Sequence, residues 1–186
     1  MDKKVNEDWE PYYSVLGEFV VNFENIVYAI REDCSFLLES KGLTDAVLGD
    51  IVFGQKYLTA EPLVSCYVTM VNHIIKHTSG KEKISKRLDL FRNKLSSLIE
   101  ARNDIVHSTH FFVESINIVG PLKLETEFKA FKPSPRKTGY HLKKTPRPQI
   151  IEFTLQLKEL KDEFKSLVQD LHKFLKENKL TADKQK

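Results

Sequence analysis

The chain has 186 residues, 41% of them hydrophobic and 30% charged, which is enough chain and apolar material for one domain with its own core. A formal net charge of +3 excludes the strongly basic class whose global charge alone selects nucleic acid, and two cysteines exclude a disulfide scaffold. No apolar run approaches the ~20 residues that span a bilayer, and the polar opening MDKKVNEDWE is unlike a signal peptide, so a cytoplasmic protein is expected.

The first helix is expected over residues 11–40. Tyr12, Leu16, Phe19, Phe23, Ile26, Ile30 and Leu37 recur at steps that place them on one helical face. Gly42 suits the stop, because glycine accepts the left-handed conformation past a helix end. A short helix is expected over 44–55. Thr59 can cap the next one, with Pro62 tolerated in its first turn and Gly80 ending it. Leu63, Cys66, Tyr67, Met70, Ile74 and His77 lie along its length. Cys34 and Cys66 both fall inside apolar helical patterns and read as buried free thiols of a reducing compartment. A fourth helix is expected over 82–110, with no proline or glycine inside.

Residues 111–153 then change texture. Prolines cluster, and FFVESINIV, LKLETEFKAF and QIIEFTL alternate at period two, which predicts a β-ribbon. From residue 154 the helical period returns in Leu157, Leu160, Phe164, Leu167, Leu171 and Phe174, ending near residue 178. The expected fold is all-α, one domain over 1–186. It is an antiparallel bundle of four to five helices with a small β-ribbon inserted before the last.

The fourth helix carries an anomaly. At about 100° per residue, Ile84, Leu88, Phe91, Leu95, Leu98, Ile99, Ile105 and Val106 fall in one arc, and Arg102 falls near its centre. Asn103, His107 and His110 share a flank of that arc, while Asp104 points to solvent. Arginine cannot shed its charge, so a guanidinium on a buried stripe needs a partner or an anion. One reading is a snorkelling or ion-paired structural arginine. The other notes that Arg102, Asn103 and His107 join a fixed cation, an amide and a group that titrates near neutrality. That set suits a phosphodiester, with arginine for the charge and histidine for proton transfer.

The run Arg102-Asn103-Asp104-Ile105-Val106-His107 resembles the Arg-x4-6-His motif of the HEPN superfamily. Its setting is similar too: late in a long helix, followed by an extended segment and a final helix. The resemblance implies a metal-independent endoribonuclease with no cofactor, working as a homodimer whose two motifs form one composite cleft. In such a site the RNA 2′-hydroxyl attacks the adjacent phosphate, with His107 as acid or base, Arg102 stabilising the transition state and Asn103 orienting either. It further implies a toxin or defence role and a neutralising antitoxin protein. Some family toxins carry a tyrosine two residues after the histidine, modified by a partner enzyme; Thr109 stands there in this chain. Other members do not cleave, which leaves a non-catalytic dimeric module binding nucleotide or a partner protein as the alternative.

Three further features invite a role. Asp33, on the edge of the first helix's apolar face, either faces solvent or supports Arg102 or His107, as His110 could. The stretch from 129 to 147 holds Lys132, Arg136, Lys137, Lys143, Lys144 and Arg147 without an acid, and Tyr140 and His141 are interleaved. It reads as a solvated basic loop or as a guide for RNA. His73 and His77 have the four-residue spacing of a metal pair but no third ligand, so no metal site is expected.

Overall fold

Phe19, Phe23, Ile26, Ile30 and Leu37 are almost wholly buried, as their recurrence along one helix face requires. They belong to a computed structural model that describes residues 3–42, 59–106, 109–116, 124–133, 140–143 and 147–180, with side chains over 13–42, 59–106 and 148–180. Its elements are α1 (Lys3–Glu39), α2 (Ala60–Ile75), α3 (Glu82–Val106), β1 (Thr109–Ile116), β2 (Leu124–Pro133), β3 (Tyr140–Lys143) and α4 (Arg147–Glu177). Helix dominates the described residues, in line with the all-α expectation. The short helix expected over 44–55 lies outside them. The chain forms two compact units: residues 1–20 with 100–155, and residues 21–99 with 156–186.

The second unit holds most of the described core. Phe164 of α4 stacks on Phe91 of α3 at 4.8 Å between centroids and meets Tyr67 of α2 edge-on at 5.6 Å. Leu88, Leu95, Leu157, Leu160, Leu167 and Leu171 fill the space around them. Each such side chain contributes about 1.5–3 kcal/mol by leaving water. Arg87 pairs with Asp170 and Lys94 with Glu163, so the contacts step in opposite senses along α3 and α4. Ser85 to Asn72 and Ser96 to Glu61 do the same for α3 and α2. The C-terminal ends of α1 and α4 lie side by side, where the Lys41 ammonium donates to the Leu180 carbonyl.

In the first unit Phe19 leans on Phe153 at 6.3 Å, and Ile105 and Ile150 are buried. The three strands form an antiparallel sheet in the order β1-β2-β3. Its register runs from Thr109 opposite Phe131 to Ile116 opposite Leu124, and from Ala130 opposite Lys143 to Pro133 opposite Tyr140.

Several element boundaries differ from the sequence expectation. α1 begins eight residues before Pro11, so that proline sits inside the helix and removes one backbone bond there. α3 stops at Val106 instead of 110, and the β-favouring run from Thr109 to Val113 enters β1. QIIEFTL, read as a strand from its alternation, is helical in α4. There the buried residues are Ile150, Thr154 and Leu157, spaced four and three, while Ile151 is exposed. The Thr154 hydroxyl donates to the Ile150 carbonyl at 2.8 Å, which satisfies a polar group on the buried face. Pro148 is tolerated in the first turn of α4, where no intrahelical N–H partner is needed.

The buried face of α2 is also rotated from the expected one. Leu63, Val64, Tyr67, Val68, Val71 and Ile75 are buried, whereas Cys66, Met70 and Ile74 are only half-buried. A helix apolar on most sides offers two stripes, and packing selected the valine-rich one. Thr59 takes the N-cap backbone position, but its hydroxyl makes no capping bond. Gly42 and Gly80 have φ of 86° and 80°, in the left-handed region; Gly42 follows the end of α1 as expected, whereas α2 ends at Ile75, so Gly80 does not end it and lies instead in the turn before α3. Lys179 adopts φ 53° without being glycine. Beside it, the Leu180 N–H reaches the Leu175 carbonyl at 2.9 Å and closes a Schellman turn.

Candidate functional site

Arg102 occupies the last turns of α3 between buried Ile99 and buried Ile105. Its side chain is half-buried, and its Nη1 donates to the Asn103 side-chain oxygen at 3.3 Å. The apolar stripe of α3 thus runs through the guanidinium's position as the sequence indicated. Two flanking expectations fail. Val106 is 40% exposed instead of sharing the buried arc, and Asp104 is half-buried instead of facing solvent. His107 lies outside the described residues. His110 does not continue the helical flank of Asn103: α3 has ended, and its backbone belongs to β1, opposite Ala130.

The basic candidates divide. Lys132 lies on β2 opposite His141, and Lys143 lies on β3 opposite Ala130. Arg147 is the first residue of α4, not part of a loop. Arg136, Lys137 and Lys144 lie outside the described residues. His73 and His77 are exposed, and α2 ends at Ile75 before His77 is reached. Among the described residues, no three histidine, cysteine or acidic side chains gather as a metal site would require. No described helix is long and apolar enough to cross a membrane.

Asp33 is where the structure departs most from expectation. It is 5% exposed, so the solvent-facing reading is wrong, and its partners are Tyr67 and His172. The Tyr67 hydroxyl donates to Oδ2 at 2.7 Å. His172 Nε2 lies 2.6 Å from Oδ1, and against a carboxylate the ring nitrogen is the donor. Both carboxylate oxygens are therefore occupied, which is the condition for keeping a carboxylate in a core. Burial, reinforced by the Asp33 charge, pushes the Tyr67 phenol well above its usual range. Burial does the same to the Cys34 thiol beside it, with Cys66 and Asp33 adding to the shift. Both cysteines are free thiols.

His172 is held from its other face as well. Phe36 stacks on the imidazole with centroids 4.0 Å apart and planes 28° from parallel. The histidine side chain stays 32% exposed and forms part of the wall of a cleft of about 710 Å³ between α1 and α4. Tyr28, Glu32 and Phe36 line the α1 side, and Lys161 and Lys165 the α4 side. A rotationally fixed imidazole with one nitrogen bonded and one remaining is a pre-oriented hydrogen-bonding group. The sequence reading missed Tyr67 and His172 as partners of Asp33. The usable signal was the acid itself: a carboxylate on an apolar face demands polar partners, but no spacing joins positions 33, 67 and 172.

Comparison of the chain with known protein families, with curated proteins and with solved structures finds no match.

Proposed function

We propose that this chain is a HEPN-type endoribonuclease, a homodimer in which Arg102, Asn103 and His107 of two copies line one composite cleft. RNA is cut there without a metal ion. The 2′-hydroxyl attacks the adjacent phosphorus and gives up its proton as the bond to the 5′-oxygen breaks, and that oxygen is protonated as it leaves. His107 serves as acid or base, Arg102 neutralises the charge that builds on the pentavalent phosphorus, and Asn103 orients either. The products are a 2′,3′-cyclic phosphate and a 5′-hydroxyl.

One observation carries the reading. Arg102, a permanent cation, stands on the otherwise apolar stripe of α3 between Ile99 and Ile105, with Asn103 bonded to its guanidinium. A guanidinium beside a buried apolar stripe is a fixed cation suited to charge-assisted bonds with an oxyanion, and a phosphate in a shared cleft supplies one. The surrounding fold is read as an antiparallel bundle of four to five helices with a β-ribbon before the last. Lys132, Arg136, Lys137, Lys143, Lys144 and Arg147 of that insertion guide RNA to the cleft. The family likeness extends to a cytoplasmic toxin or defence role with a neutralising antitoxin. A non-catalytic dimeric module that binds nucleotide or a partner protein is the second reading, favoured by the cleft beside His172.

The deciding experiment incubates purified protein with total RNA in EDTA, beside Arg102→Ala and His107→Ala. Cleavage that yields cyclic phosphate ends and is lost in both variants supports the nuclease. Cleavage that survives either substitution, or a strictly monomeric protein at micromolar concentration, refutes it.

A further inference from the structure

The chain holds two cysteines and two methionines, and one of the methionines is Met1. The other three sulfurs belong to Cys34, Cys66 and Met70, and they meet where α1 faces α2. Cys34 follows Asp33 on α1, and Cys66 precedes Tyr67 on α2. The 2.7 Å hydrogen bond from Tyr67 to Asp33 holds those two turns together. Cys66 is near enough for its charge to act on the Cys34 thiol. Cys66 and Met70 are four apart on α2 and so are neighbours, with Sγ 4.0 Å from Sδ. Cys34 is wholly buried while Cys66 and Met70 are half-buried, so the cluster runs from the core out to the surface of α2. Packing alone uses cysteine as a small apolar group and methionine as a gap filler. It does not require every sulfur beyond Met1 to gather at one place.

We infer that Cys34, Cys66 and Met70 form a binding site for a soft monovalent metal ion, Cu(I), with the three sulfurs at the corners of a triangle around it. Thiolate and thioether donors select Cu(I), where carboxylate and carbonyl oxygens select hard ions. Metal–sulfur bonds about 2.3 Å long and 120° apart set two sulfurs about 4.0 Å from each other. Cys66 Sγ and Met70 Sδ already stand at that separation. Binding forms a bond from the ion to each sulfur, and each ligating cysteine releases its proton to solvent; nothing is oxidised or reduced. Burial, Cys66 and Asp33 all disfavour a bare thiolate at Cys34, and an ion in place of the proton returns positive charge there. Zinc fits poorly. A structural zinc takes four thiolate, imidazole or carboxylate ligands, and among the described residues no three such groups gather. Asp33 and His172 are engaged with each other. The ion enters past half-buried Met70 and Cys66, and closing on Cys34 ties α2 to α1. The site stands apart from Arg102 and His107 and does not depend on RNA cutting.

The test titrates the full chain with Cu(I), kept reduced by ascorbate in the absence of oxygen, against the coloured chelator bicinchoninate. The parent is expected to withdraw one Cu(I) per chain, and its thermal midpoint, followed by circular dichroism, to rise with the ion. Cys66→Ser is expected to weaken binding more than about 100-fold, because losing even an outer partner of a metal ligand costs about 10–100-fold. Met70→Leu keeps the side-chain volume and removes the thioether, and is expected to weaken binding about 10-fold. Cys34→Ala is expected to match Cys66→Ser; if that buried change unfolds the chain, the two half-buried positions still decide the question. His73→Ala with His77→Ala removes the exposed imidazoles near Met70 and is expected to change nothing. Zn(II) at the same concentration is expected to leave the midpoint where it was. A parent that yields all its Cu(I) to the chelator overturns the site. So does an affinity that follows His73 and His77, or one that Cys66→Ser and Met70→Leu both leave at the parent's value.

Discussion

Tyr67→Phe is the most informative single change in the core. The ring is fully buried, edge-on to Phe164, so phenylalanine keeps the packing and removes one oxygen. What is lost is the 2.7 Å hydrogen bond to Asp33 Oδ2, leaving His172 as the remaining hydrogen-bond donor to a carboxylate that is 5% exposed. A hydrogen bond to a charged group is worth about 1.5–3 kcal/mol, and a buried acceptor left short of a partner carries its desolvation cost as well. The expected destabilisation is therefore about 2 kcal/mol. For a chain of this length that lowers Tm by about 4–8 °C. Urea unfolding followed by circular dichroism measures it, with Asp33→Asn and the double variant completing a cycle. The coupling between the two positions should be at least 1 kcal/mol. A coupling near zero would mean that the Asp33 carboxylate and the Tyr67 hydroxyl do not depend on each other, and the account of this buried network would be wrong.

Alkaline pH tests the same region. Folded-state values for Tyr67 and Cys34 are raised, so the stability tied to their neutral forms is fully present below the unfolded values of 10.0 and 9.0. It falls above them, because the unfolded chain then binds fewer protons than the native one. Above pH 10 the two groups together should cost about 2.7 kcal/mol per pH unit, and Tyr67→Phe should remove about half of that dependence, read from urea midpoints between pH 8 and 11. Lys179→Gly should raise stability by about 0.5–1 kcal/mol, since a lysine at φ 53° bears a steric cost that glycine does not, and a higher urea midpoint checks it.

How much was legible from residues alone follows from what each element depends on. The stripes of α1, α3 and α4 could be read because a helix repeats every 3.6 residues and each has one apolar side, from Phe19 to Leu37 and from Leu157 to Leu171. The stop at Gly42 was equally local, since a left-handed φ suits glycine, whereas Gly80, expected to end α2, lies five residues past its end at Ile75. α2 was misread because apolar residues surround it, and only its neighbours could decide between Cys66 with Met70 and Val68 with Val71. The start of α4 was misread because QIIEFTL satisfies both a period of two and a helical face through Ile150, Thr154 and Leu157, and burial selects the second.

The candidate residues divide in the same way. Arg102 and Asn103 are adjacent on one helix, so their bond and their place on the stripe of α3 are fixed by helical geometry that the sequence already contains. Asp33, Tyr67 and His172 come from three helices, 34 and 139 positions from the acid. Sequence placed Asp33 at the edge of an apolar face and left open whether it faces solvent; once buried, a carboxylate must find donors, because an unsatisfied charge in a core costs more than the fold can spare. Only tertiary packing decided which donors they are, because hydrogen bonds act over about 3 Å and the chain brings these groups within that distance only when the helices associate.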